Sequence, residues 1–338
     1  MIDPKEIVLA RPDDFHVHFR QGDPLALYVR RHSACFGRAI VMPNTLPPIA
    51  DAASLVAYRN KIVGCLPEAS DFAPLMTFKL LPGMDAKTVE ACGAAGAIAG
   101  KYYPAGATTN AADGPSNPDS VAEALSAMES FGIILSIHGE DPDAPSLERE
   151  TAFLATLEKI LARWPRLRVV LEHLSTKEAA DFVADGPERL AATITAHHLL
   201  FTIDDMLGGS LNPHLFCKPI IKSAADREAL RTAAFSASHK FFFGSDSAPH
   251  ARAAKERAHA PGGIYSSPTA IPALAGLFES AGALEALGPF LAGNGARYYR
   301  LPSPTGTIRL RREAWKVPDE IDGVVPMCAG AELAWRLA

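Results

Sequence analysis

The chain is poor in cysteine, has no excess of positive charge, and lacks both a long apolar run and a glycine signature for dinucleotides. Its five cysteines, Cys35, Cys65, Cys92, Cys217 and Cys328, are odd in number, far apart and never spaced as C-x-x-C. A disulfide framework and a zinc ribbon are both disfavoured by that spacing. Basic residues number 33 against 38 acidic ones, for a formal charge of −5. Binding of a nucleic-acid backbone, which needs a basic surplus, is therefore not expected. No run approaches the roughly eighteen apolar residues of a membrane span. The opening Met-Ile-Asp-Pro-Lys-Glu-Ile has no signal-peptide core, so a cytoplasmic setting is expected. No G-x-G-x-x-G follows the first strand-like run, which removes the mark of a nucleotide-binding open sheet. What remains is globular in composition, with 48% hydrophobic and 21% charged residues.

Within that composition, eight short β-rich or apolar runs recur, at 15–19, 39–43, 74–80, 97–103, 133–138, 168–174, 192–199 and 240–245. Stretches of helical periodicity separate most of them, at 51–63, 119–131, 148–164 and 226–236. The second of these is preceded by the capping sequence Asn117-Pro-Asp-Ser. Strands alternating with helices imply parallel pairing through βαβ crossovers. Eight units match a (β/α)8 TIM barrel better than an open doubly wound sheet. The whole chain, 1–338, is read as one barrel domain with a C-terminal extension at about 302–338. Residues 279–301 suggest one or two further helices. The tail has one strand-like run, Thr307-Ile-Arg-Leu, and little else, and could pack across the lower end of the barrel.

Metal-ligand residue types sit at the downstream ends of five of these runs. They are His16 and His18, then Lys101, His138, His173 and Asp246. Catalytic groups of a barrel come from that end of its strands, so these residues are expected to converge on a two-metal hydrolytic centre. His-x-His alone is more often a surface or structural pair, but residues two apart on a strand share a face. Arg20 follows, and a third charged group facing a barrel interior would be costly unless it meets a partner. Lys101, after Ala-Ile-Ala-Gly, would ordinarily reach for water or a carboxylate. Beside two cations its amine would instead lose its proton and could take up CO2 as a bridging carbamate. Asp246 could cap a helix before Pro249, yet its position after Phe-Phe-Phe-Gly-Ser favours a metal role. His250 lies beyond the strand and is read as meeting substrate. His32, His197, His198, His214, His239 and His259 receive no role and are read mostly as surface or satisfied core histidines. The loop 105–116 is rich in small and turn residues. Its paired Thr108 and Thr109 suit a mobile lid.

Taken together, His16-Val-His-Phe-Arg20, Met42-Pro-Asn-Thr, Gly100-Lys-Tyr-Tyr-Pro-Ala-Gly-Ala-Thr-Thr-Asn110, His138-Gly-Glu, Glu172-His-Leu-Ser-Thr and Gly244-Ser-Asp-Ser-Ala-Pro-His250 resemble dihydroorotases. The resemblance is to the shorter bacterial type within the amidohydrolase superfamily, and it spans almost the whole chain in the family's order. It implies two zinc ions per chain, carboxylation of Lys101, a homodimer, and reversible cyclisation of N-carbamoyl-L-aspartate to L-dihydroorotate in pyrimidine synthesis. Carried over, His16, His18 and Asp246 would hold one zinc and His138 and His173 the other, with carboxylated Lys101 bridging them. Arg20, Asn44 and His250 would bind the substrate carboxylate. Further contacts fall at Lys218 and Gly262, mostly through backbone, and both positions differ in side chain from other members. Thr108 and Thr109 match the lid threonines, and Asp246 would serve as proton acceptor and then donor. A hydantoinase or allantoinase would share the metal residues but not necessarily Arg20, Asn44 and His250 together. A metal-free scaffold protein would have lost some of the six ligands, and all six are present.

Overall fold

Short strands rich in Val, Ile, Phe and Ala suit a parallel sheet covered on both faces. The computed structural model of the chain arranges them that way. It describes residues 5–236 and 238–338; the opening Met-Ile-Asp-Pro, part of the N-terminal reading above, lies outside the described residues. A first strand, β1 (Glu6–Ala10), precedes the barrel. The barrel strands are β2 (Asp13–Val17), β3 (Arg38–Val41), β4 (Ala73–Lys79), β5 (Ala97–Tyr102), β6 (Ile134–Ile137), β7 (Val169–Leu171), β8 (Leu190–Ile194) and β9 (Phe241–Phe243). After them come β10 (Thr307–Lys316) and β11 (Glu332–Leu337). Strands β2 to β9 form one sheet in sequence order, with every neighbouring pair parallel.

The sheet closes through its first and last strands. Val17 bridges to Ser247, just beyond β9. The His18 amide donates to the Ser247 carbonyl at 3.0 Å, and the Asp246 amide donates to the His16 carbonyl at 2.8 Å. Closure of the barrel thus sets His16, His18 and Asp246 side by side.

Several of the helices that separate the strands open on side-chain caps supplied by the sequence. Asp51 accepts from the Ser54 amide and opens the helix Ala52–Val63 in a reciprocal capping box. Asn117 accepts from the Ser120 amide and starts a 3-10 turn, Pro118–Val121, which leads into the helix Ala122–Phe131. Arg149–Arg163 and Ala224–Phe235 fill the two other helical stretches read from the sequence. Three more crossover helices, Leu25–Ser33, Ala86–Ala94 and Lys177–Asp185, go beyond that reading.

Two expectations are corrected. The run 192–199 reads as strand throughout, but β8 stops at Ile194. Thr195 then caps a short helix, Ala196–Leu200, by accepting from the His198 amide. The tail holds far more than one short run. Strands β1, β10 and β11 make a separate antiparallel sheet in the order β1-β10-β11. Ile308 and Leu310 of β10 point inward while Thr307, Arg309 and Arg311 stay exposed. Trp335 of β11 is fully buried and donates to Glu279, on the helix Ala270–Ser280, at 3.0 Å. The partner strands lie at opposite ends of the chain, so local pattern could not reveal the pairing.

Inside the barrel, an apolar layer of Phe15, Ile40, Ala99, Ile134, Val170, Ala191 and Phe242 fills the lower half. Phe15 meets Phe242 edge-on at 5.1 Å and stacks on Tyr299 at 5.4 Å. Burial of each such ring stabilises by about 1.5–3 kcal/mol. Tyr299 ends the helix Asn294–Tyr299, which brings Gly295 against Phe15. A Cβ at Gly295 would sit 2.2 Å from the Phe15 ring, so no side chain fits there. Two residues further along each strand, the inward positions turn polar: Lys101 after Ala99, Ser136 after Ile134, Glu172 after Val170 and Thr193 after Ala191. In β2 the register shifts between Asp14 and Val17. That irregularity lets Phe15 face the apolar layer while His16 and His18 face the polar one.

Candidate active site

One cleft at the C-terminal mouth of the barrel collects most of the candidate residues. His16, His18, Arg20, Asn44, Thr108, Thr109, His138, His173, Lys218, Asp246 and Gly262 all line it. Lys101 lies beneath them, fully buried, with Nζ 5.3 Å from the Tyr103 ring. His250 joins from the side, through Arg20 and Gly262.

The first donor set is tight. His16 Nε2 lies 3.3 Å from His18 Nε2 and 3.4 Å from Asp246 Oδ1, and His18 Nε2 lies 3.1 Å from the same oxygen. A ligand atom from each of the three falls within 4.8 Å of the others. Opposite them, His138 Nδ1 and His173 Nε2 are 3.2 Å apart. The outer nitrogens are held by carboxylates. His16 Nδ1 donates to Glu172 at 3.0 Å, and His138 Nε2 donates to Glu140 at 2.8 Å. Those bonds assign the tautomers and leave His16 Nε2 and His138 Nδ1 with lone pairs facing inward.

Electrostatics keep the set in the unprotonated state that metals require. Burial pulls the His18 imidazole down to about 4 and the His173 imidazole well below its ordinary range. Burial pushes the Asp246 carboxyl up, but the hydrogen bond from His18 and the nearby imidazoles outweigh it and leave Asp246 ionised far below neutral pH. Burial also brings the Lys101 amine down to about 8, against the pull of Glu172 and Asp246 in the other direction. Lys101 Nζ and His173 Nδ1 have no hydrogen-bond partner among the described residues. A buried polar atom without a partner is costly. Orphaned nitrogens, imidazole lone pairs set face to face and an ionised carboxylate together fit divalent cations.

The backbone carries strain at this rim. Arg20, Asn110, His173 and Asp246 all adopt positive φ, at 63°, 56°, 44° and 41°. Such left-handed non-glycine residues cost of order 1–3 kcal/mol each and collect at functional sites. Arg20 is half-buried without a carboxylate partner among the described residues; its Nε donates to the Pro249 carbonyl at 3.2 Å and Nη2 lies 2.8 Å from His250 Nε2. His250 Nε2 is also 3.1 Å from the Gly262 carbonyl. One nitrogen can donate to Gly262 or accept from Arg20, not both, so only one of these two contacts is a hydrogen bond in a given tautomer.

The loop after Lys101 is folded down over the cleft. Asn44 Nδ2 donates to the Thr109 carbonyl at 3.2 Å, and Asn110 Nδ2 returns a bond to the Asn44 carbonyl at 2.9 Å. Lys79 donates to the Asn110 carbonyl at 2.6 Å and pairs with Asp113. Gly114 closes the loop so tightly that a Cβ would lie 2.1 Å from the Tyr103 carbonyl.

Residues to which sequence reasoning gave no role hold this centre in place. Glu172 accepts from Ser136 at 2.5 Å and from Thr193 at 2.6 Å besides His16. Asp14 accepts from the His16 and Ser245 amides at 3.0 and 2.7 Å, which ties β2 to the end of β9. A signal was present: Glu172 follows Val-Val-Leu in a strand, where a carboxylate must be paired. Among the remaining histidines, His32 is bonded to Ser267 through Nδ1 only, its buried Nε2 lying 3.5 Å from Asp14 Oδ2 without a hydrogen bond, and His214 and His239 pair with Glu256 and Glu188. His198 is satisfied by Thr195 and the Pro219 carbonyl. His197 and Cys217 lie beside it in a second grouping of ligand type, and both ring nitrogens of His197 lack a hydrogen-bond partner among the described residues.

No family model matches the chain. It is 45% identical over 338 residues to the dihydroorotase of Teredinibacter turnerae, covering 98% of each chain. The crystal structure of dihydroorotase from Campylobacter jejuni superposes with a TM-score of 0.91 at 36% identity, covering 100% of this chain and 98% of that one. Dihydroorotase from Saccharomyces cerevisiae, solved in complex with 5-fluoroorotic acid, superposes with a TM-score of 0.92 at 32% identity and covers 99% of both. With this identity held over nearly the full length and the same barrel beneath it, the chain belongs to the dihydroorotase family.

Proposed function

We propose that the chain catalyses the reversible cyclisation of N-carbamoyl-L-aspartate to L-dihydroorotate and water, the dihydroorotase step of pyrimidine synthesis. The reading is carried by one observation: a donor set suited to two cations shares a cleft with a half-buried guanidinium that has no carboxylate partner among the described residues. His16, His18 and Asp246 would hold one zinc and His138 and His173 the other. Lys101, carboxylated on its otherwise orphaned Nζ, would bridge them. When bound, the two ions supply Lewis acidity and lower the pKa of water.

The chain's own groups then do the following. Arg20 clasps the substrate carboxylate, with Asn44 and His250 as further donors. Lys218 and Gly262 line the same wall of the cleft and contact the ring mostly through backbone. In ring opening, water adds to the ring carbonyl carbon and the carbon–nitrogen bond breaks. Asp246 accepts the proton from the attacking water at its carboxylate and returns it to the departing nitrogen. Ring closure runs the same steps in reverse. Thr108 and Thr109 cover the reacting end and exclude bulk water.

A hydantoin or allantoin ring brings no carboxylate for Arg20, which separates those substrates from this one. The test is turnover by purified, zinc-loaded protein offered dihydroorotate, hydantoin and allantoin in parallel. Dihydroorotate should be opened fastest, with close to two zincs per chain; faster opening of hydantoin or allantoin would overturn the assignment. The reading extends to one barrel domain over 1–338 with its extension from about 302, a homodimer, and a cytoplasmic setting. No helix among the described residues is long and apolar enough to cross a membrane. Sedimentation of the purified protein would check the dimer.

A further inference from the structure

Lys255 is a lysine that the reaction does not use, and it is nearly as buried as the metal-site residues, with 2% of its surface exposed. It ends the short helix Arg252–Lys255, five residues after His250. No carboxylate pairs with it among the described residues. Its ammonium instead donates to three backbone carbonyls: Phe216 at 2.8 Å, Gly263 at 2.9 Å and Pro261 at 3.0 Å. Three donors on three acceptors use every proton the charged group carries. A neutral amine has only two and would leave one carbonyl without a partner.

Those carbonyls belong to two separate segments. Phe216 immediately precedes Cys217 and Lys218, while Pro261 and Gly263 flank Gly262. The segments meet directly through one backbone hydrogen bond, from the Gly263 amide to the Phe216 carbonyl at 2.9 Å, and the Gly262 backbone leaves room for a Cβ 3.4 Å from Lys218 Cγ. Gly263 holds φ at +144°, and a Cβ there would lie 2.4 Å from the Ala248 carbonyl, so that segment has no slack toward the barrel. The Gly262 carbonyl in turn meets His250 Nε2, which meets Arg20. A chain of contacts therefore runs from Lys255 to the guanidinium. Arg20, His250 and Lys255 also act on one another electrostatically; burial pulls the Lys255 amine down to about 8, which leaves it mostly charged at neutral pH, with no carboxylate partner among the described residues.

We propose that Lys255 is a positioning residue for the anionic substrate: it fastens the Phe216–Lys218 and Pro261–Gly263 segments into one wall and backs the Arg20–His250 pair with its charge. This rests on the dihydroorotase reading of the cleft. Because Lys255 touches neither the metal-site residues nor the reacting atoms, its loss is felt in substrate binding and not in zinc content or the chemical step.

The experiment compares wild type with Lys255→Met, Lys255→Gln and Lys255→Arg in steady-state kinetics on N-carbamoyl-L-aspartate and dihydroorotate, with zinc content measured on each. Lys255→Met is expected to raise KM by about tenfold or more, the worth of one charge-assisted contact, with kcat held within about threefold. Lys255→Gln restores two donors without charge and should fall between, and Lys255→Arg restores charge and donors and should recover most of the loss. A merely structural role would lower the folded fraction, and so kcat, while leaving KM unchanged. If Lys255→Met does not fold, the Gln and Arg variants still carry the comparison. An unchanged KM in the folded variants overturns the inference alone. Absence of dihydroorotate turnover in the wild type overturns the reading of the cleft and this inference with it.

Discussion

Glu172 is the strongest test of how the metal site is built, because it touches neither cation position nor substrate and yet holds His16 in place. Its carboxylate accepts from His16 Nδ1 at 3.0 Å, Thr193 Oγ1 at 2.6 Å and Ser136 Oγ at 2.5 Å. In Glu172→Gln one acceptor becomes an NH2 group. It will turn toward Ser136, whose hydroxyl can rotate and accept, because the other side faces two donors. His16 then keeps a hydrogen bond, but to a neutral oxygen. Charge-assisted bonds contribute about 1.5–3 kcal/mol and neutral ones about 0.5–1.5, so the loss is about 1–1.5 kcal/mol, or roughly tenfold in zinc affinity. Glu172→Ala removes all three bonds and should reach the upper end of the 10–100-fold range typical of groups that orient metal ligands, about two orders of magnitude. Competition for zinc against a chromophoric chelator at fixed pH reads both values directly. At saturating zinc, kcat of Glu172→Gln should stay within a few fold of wild type. Unchanged zinc affinity in both folded variants would refute the orienting role of Glu172.

Other expectations follow from the same geometry. Arg20→Met should lower kcat/KM for dihydroorotate by at least about tenfold with zinc content intact, because a charge-assisted guanidinium contact to a carboxylate is lost; kinetics with parallel metal analysis checks it. Asp246→Asn keeps the shape but cannot accept a proton at neutral pH, so turnover should fall by about a hundredfold or more, and near-normal turnover would place the proton transfer elsewhere. Lys101→Ala should lose zinc and activity together and regain part of both in the presence of small carboxylic acids; activity kept without added acid would contradict a carboxylated Lys101. Thr109→Val should lower turnover without removing metal, since the lid contact through the Thr109 carbonyl to Asn44 survives while the hydroxyl does not.

The alternation of apolar runs with helical stretches was enough, by itself, to place eight strands and four of the crossover helices. The reason is that period and length are local properties: a parallel strand covered on both faces must be short and apolar, and each must be followed by a crossover. The candidate site residues were legible because a barrel turns position along a strand into position in space, so residues at strand ends such as Lys101 and His138 could be taken as neighbours without knowing any contact. What lay beyond the sequence was whatever depends on partners far apart. The sheet of β1, β10 and β11 pairs the two ends of the chain, and nothing within Glu6–Ala10 announces Thr307–Lys316. The register shift in β2, which turns Phe15, His16 and His18 all inward, is decided by how β2 meets β3 and the end of β9, not by its own five residues. Glu172 showed only as a carboxylate after an apolar run, and Glu140 and Asp14, with polar neighbours, carried no local signal. Which histidine or amide each one holds was settled by tertiary closure, because a hydrogen bond needs its partner within about 3 Å and sequence spacing does not set that distance across a barrel.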